Sequence, residues 1–86
     1  MNRLPELSDQ ARTWYILKGY DIQTGPSVLY QDHIIRVFRL NGVLHRTDGP
    51  AMEWSNGEVV YYLNERCYTE EEHRIAVNEM MKNGTT

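Results

Sequence analysis

The sequence predicts an α+β fold: an antiparallel β-meander of about five strands, built from hairpin repeats of ~23 residues, with a C-terminal helix packed on the sheet. Three observations predict it. The segments "WYILKG", "VFRLNG" and "VYYLNE" begin at positions 14, 37 and 60, so they recur every 23 residues. Within them aromatic and leucine side chains alternate with the period of a strand. Past residue 68 the pattern changes to "TEEEHRIAVNEMMKNG", which has the period of a helix.

The chain divides accordingly into an N-terminal segment (1–13), a first repeat (14–36), a second (37–59), a partial third (60–68) and a capping helix (69–83). In the N-terminal segment Ser8 or Asp9 suits the cap of a short helix through Arg12, and coil fits equally well. The first repeat reads as an extended strand from Trp14, aligned with Val37 and Val60. Its second half, "TGPSVLYQD", lies over "DGPAMEWSN" at an offset of 24, placing Gly25-Pro26 on Gly49-Pro50. The alignment puts Tyr15, Leu17, Val28, Tyr30, Phe38, Leu40, Met52, Trp54, Tyr61 and Leu63 on one side of the pleat. A one-residue slip would turn any of these columns to solvent.

Turn chemistry follows the same plan. Asn56-Gly57 sits between two strands, where both residues tolerate positive φ. Asp32-His33 makes a poorer turn, so the first hairpin is expected to be wider. "GYDIQTGP" and "GVLHRTDGP" read as links between hairpins, with Pro26 and Pro50 at strand starts because proline cannot donate to a ladder. Thr69 and Glu72 form a capping box, Glu70 to Glu72 suit the positive end of the helix dipole, and Lys82 the negative end. His73, Ala76, Val77 and Met80 share one helical face, and Gly84 is a natural stop.

Eighty-six residues make one domain that buries roughly 60–65% of its unfolded surface. A net charge of −3 argues against a nucleic-acid partner. No apolar run approaches the ~20 residues of a membrane span. The start of the chain has no apolar core of a signal peptide. Cys67 is the only cysteine, which excludes an intrachain disulfide and suits a reducing cytoplasm. It reads as a half-buried filler. His33, His45 and His73 are not at metal-ligand spacing, so neither metal nor cofactor is expected.

"LNGVLHRTDGPAMEW" closely resembles a repeat of small proteins from bacteriophages, giant viruses and some bacteria, whose usual form is Tyr-Leu-Asn-Gly-Lys-Leu-His-Arg-Glu-Asp-Gly-Pro-Ala. Leu40, Asn41, Gly42, Leu44, His45, Arg46, Asp48, Gly49, Pro50 and Ala51 match it. The period is also similar to that of MORN repeats. The resemblance implies stacked hairpins. For phage examples of this size it implies a small cytoplasmic factor that binds and inhibits, or redirects, a host protein.

Two sets of residues are candidates for function. His45, Arg46 and Asp48 read first as turn chemistry, with Asp48 accepting from backbone N–H groups and pairing with Arg46. Their second reading is a clamp for a phosphate or carboxylate ligand, such as a nucleotide signal. Catalysis is not expected, because it needs a nucleophile or base with an orienting partner in a pocket, and a small repeat sheet rarely encloses one. Ile35, Val37, Arg39 and Tyr62 alternate with the core columns and so mark the opposite face of the sheet, beside Glu53. An apolar face left open in so small a domain suits a protein partner, or a homodimer contact. Strand addition at a sheet edge is a further route to a partner.

Overall fold

The structure, a computed structural model, describes residues 4–84. Its elements are α1 (Asp9–Leu17), β1 (Tyr20–Pro26), β2 (Ile34–Leu40), β3 (Val43–Leu44), β4 (Met52–Trp54), β5 (Val59–Leu63), β6 (Arg66–Tyr68) and α2 (Glu70–Gly84). The sheet is antiparallel in the order β1-β2-β4-β5-β6, with β3 also on β2. This is the α+β meander with a C-terminal helix.

The stretch from Trp14 to Leu17 corrects the expected strand: it is the last part of α1. Ser8 caps that helix, its hydroxyl accepting from the Ala11 N–H at 3.1 Å. Asp9 sits in the first turn, where the dipole favours a carboxylate. Gly19, at φ 97°, ends the helix and turns the chain into β1. Leu17 and Val28, assigned to the core columns by the alignment, are 80% and 101% exposed.

The 23-residue period survives between the second and third units. β2 turns into β3 through Asn41-Gly42, at φ 54° and 84°, and β5 turns into β6 through Asn64-Glu65, at φ 51° and 71°. Two consecutive positive φ values are the signature of the tight hairpin turn that matches strand twist. Asn56-Gly57 behaves differently. Only Gly57 has positive φ, and the Trp54 N–H reaches the Glu58 carbonyl at 2.9 Å, so this hairpin has a three-residue loop.

β3 and β4 lie in succession along the same edge of β2. The chain leaves the sheet after His45 and returns at Ala51. Phe38 marks the gap: its carbonyl accepts from His45 N–H at 3.3 Å and its N–H donates to Ala51 at 2.8 Å. This excursion resets the register. Met52 pairs with Val37 and Trp54 with Ile35, so both face away from Phe38 and not with it, contrary to the aligned columns. Phe38, Leu40, Tyr61 and Leu63 do share one face.

That face is covered. Tyr15 of α1 packs on Phe38 and Tyr20, with ring centroids 5.2 and 5.5 Å apart. His73 of α2 packs on Tyr61 at 4.9 Å. Arg36, also on this face, donates to the Pro5 carbonyl at 2.7 Å, so the N-terminal segment lies here too. Phe38, fully buried, is the centre of the core. α2 begins with the Thr69–Glu72 capping box, its two reciprocal bonds 3.0 and 3.1 Å long. His73 and Val77 are buried, but Met80 and Met81 are exposed, so neither methionine fills the core. The helix still includes Gly84, which was expected to stop it.

Candidate functional site

The excursion between β3 and β4 places His45, Arg46 and Asp48 over Phe38. The Arg46 guanidinium stacks on the Phe38 ring 4.0 Å from its centroid. Its Nε donates to Asp48 at 3.1 Å, Nη1 to the Pro50 carbonyl at 3.0 Å, and Nη2 to the Tyr15 hydroxyl at 2.9 Å. Glu53 adds an ion pair at 3.5 Å. Tyr15 in turn donates to Asp48 at 2.5 Å. Arg46 therefore fastens the loop, α1 and β4 together. Burial alone would lower its pKa, but the charge of Asp48 and the bond that Arg46 donates to Tyr15 outweigh that and hold the guanidinium pKa above its ordinary value.

Gly49 permits this packing. A Cβ there would lie 2.9 Å from the Arg46 guanidinium carbon, which is pinned between aromatic rings and carboxylates. An anion bound at Arg46 would have to displace Asp48 and Tyr15, since every nitrogen of the guanidinium is already engaged.

His45 is buried and its Nδ1 accepts from the Asn64 N–H at 3.0 Å, which ties the loop to the β5–β6 turn. Burial lowers its pKa, and the neighbouring His73 pushes the same way. His73 donates from Nε2 to the Arg46 carbonyl at 2.7 Å. Burial raises the Tyr15 pKa, and its bond to Asp48 adds to this, so the phenol stays protonated at neutral pH. The arrangement is one of mutually satisfied donors and acceptors. Among the described residues no His, Cys, Asp and Glu side chains form a cluster able to hold a metal, and no helix is long and apolar enough to cross a membrane.

The second candidate set lies on the other face of the sheet. Ile35, Val37, Arg39 and Tyr62 do share that face, as the register requires. The structure adds Met52, which with Val60 continues one row from Gln23 and Val37 across four strands. No periodicity argument reaches across the His45–Ala51 excursion, which is why the sequence placed Met52 on the wrong side. Glu53 lies on the covered face, bonded to Arg36 at 3.0 Å, and not beside Arg39 as expected. Arg39 instead bonds Gln23 at 2.8 Å. Val37 is only 9% exposed and offers little surface; Ile35, Arg39, Met52, Val60 and Tyr62 are half-buried. The loop between β1 and β2 shelters one end, where Tyr30 packs on Trp54 and Ser27 accepts from the indole N–H at 3.1 Å. Cys67, opposite Tyr62, is exposed rather than half-buried.

Comparison of the chain with protein-family models, with curated proteins and with solved structures finds no match in any of the three.

Proposed function

We propose that this chain is a non-enzymatic protein-binding module whose open sheet face covers a surface of a partner protein. One observation carries the reading: both helices and the N-terminal segment crowd onto one face, which leaves the half-buried Ile35, Met52, Val60 and Tyr62, around the buried Val37, without a covering layer of helix. A partner that buries this stripe gains roughly 25 cal/mol per Å² of apolar area, with Tyr62 supplying both area and a polar tip. Arg39 and the acidic surface would set partner choice more than affinity. The resemblance of the His45–Ala51 repeat to those of small phage proteins supports a bacterial host protein as the partner, inhibited or redirected by occlusion.

The test is affinity capture from bacterial lysate with the wild type and with the double variant Ile35→Glu/Tyr62→Glu, each checked for folding by circular dichroism. The wild type should retain one dominant protein that the folded variant loses. No specific capture, or capture that survives the variant, overturns the reading.

A further inference from the structure

The two edges of the sheet differ in how they are guarded. β6 is three residues long and carries Arg66, both of which discourage pairing with another chain. β1 is seven residues long, carries a single charge at Asp21, has no lysine and no bulge, and has its only proline at the last position. Its free edge can be defined atom by atom. Phe38 turns its N–H and C=O toward Ala51 and His45, and Ile34 turns its carbonyl toward Ser55, away from β1. Their partners on β1, Ile22 and Pro26, are therefore in non-hydrogen-bonded pairs and turn their own backbone groups outward. Tyr20 and Thr24 share that parity. Among the described residues nothing bonds to these outward groups.

We propose that β1 pairs antiparallel with β1 of a second copy of this chain, about a twofold axis through Ile22. Charge and backbone chemistry select this register. It sets Ile22 against Ile22, Tyr20 against Thr24, Asp21 against Gln23 and Gly19 against Gly25, and it uses every outward N–H and C=O from Tyr20 to Thr24. Moving the axis to residue 21 would set Asp21 against Asp21, a like-charge pair. Moving it to residue 23 would set Pro26, which has no N–H, against Tyr20.

A separate observation agrees. Large exposed apolar side chains flank this strand at its two ends: Ile16 and Leu17 before it, Val28 and Leu29 after it. Antiparallel pairing brings the Ile16–Leu17 end of one protomer to the Val28–Leu29 end of the other, so large apolar side chains border the seam at both of its ends. The pairing leaves the open sheet face as it is and does not depend on the protein-binding reading.

Sedimentation velocity from micromolar to millimolar concentration tests it. The wild type should approach twice the 10.1 kDa chain mass, and Thr24→Pro, which removes an outward N–H only, should sediment as a folded monomer. Where that variant misfolds, Ile22→Cys in a Cys67→Ser background gives the answer. Opposed hydrogen-bonded residues lie about 5.5 Å apart between Cα atoms, within disulfide reach, so mild oxidation should yield a covalent dimer, whereas Asp21→Cys should not. A wild type that stays at the monomer mass throughout overturns the proposal, as does a dimer that Thr24→Pro leaves intact or that Ile22→Cys fails to cross-link.

Discussion

Trp14–Gly19 and Val37–Gly42 carry nearly the same pattern, with an aromatic at the second position, leucine at the fourth and glycine at the sixth, yet one is the end of a helix and the other a strand and its turn. The fifth position separates them. Asn41 adopts φ 54°, which asparagine tolerates, and with Gly42 makes a tight hairpin turn. Lys18 stays right-handed at φ −83°, so Gly19 alone reverses the chain, as it does at a helix end. Upstream, the Ser8 cap gives a helix its start, and nothing comparable precedes Val37. Both aromatics still reach the core, and their rings touch. The leucines part company, since Leu17 is exposed and Leu40 half-buried. A six-residue alternation thus leaves the choice open, and the turn residue makes it.

Paired substitutions sharpen this comparison. Phe38→Ala should cost about 3–5 kcal/mol in urea unfolding, because it empties the centre of the core, while Leu17→Ala should fall within about 0.5 kcal/mol of wild type. Similar losses at the two positions would restore the extended reading of the first unit. Next in size are the glycines that the alignment equated. Gly49→Ala forces a Cβ against Arg46 and should cost about 1–3 kcal/mol, whereas Gly25→Ala meets nothing within 4 Å and should be neutral or slightly stabilising. At the fifth position, Asn41→Lys should cost about 1 kcal/mol through its left-handed backbone, and Lys18→Asn only a few tenths.

The smallest effect is a pH dependence from His45. Its pKa is lower in the folded chain than the usual value of about 6.5, so the unfolded chain binds the proton more readily. The stability from the neutral imidazole is complete above that value and is lost as pH falls through the folded pKa. Thermal melts should therefore drop on acidification from pH 7.5, and His45→Gln should flatten the slope at some cost in melting temperature. A slope that His45→Gln leaves unchanged would place the titration elsewhere.

Much of the fold was legible where local chemistry and periodicity agree. The Thr69–Glu72 box marks α2 without reference to anything distant, and Phe38 and Tyr61 take the face that their alternation demands. β3 was not legible because two residues carry no period, although Asn41-Gly42 was a turn signal as good as Asn56-Gly57. The partner of Arg46 was hidden for another reason. Tyr15 lies 31 positions away on a helix mistaken for a strand, and only three-dimensional packing brings its hydroxyl within 2.9 Å. Met80 and Met81 fit an apolar helical face, but at 40% and 63% exposure neither is buried in the core.

The central claim is that α1 and α2 cover one face of the sheet and leave the other uncovered. Methyl nuclear Overhauser contacts of Ile35, Val37 and Val60 test it most directly. The account predicts contacts to in-sheet neighbours such as Met52 and none to any residue of either helix, while Phe38 shows strong contacts to Tyr15. Contacts from Ile35 or Val60 to α1 or α2 would contradict it.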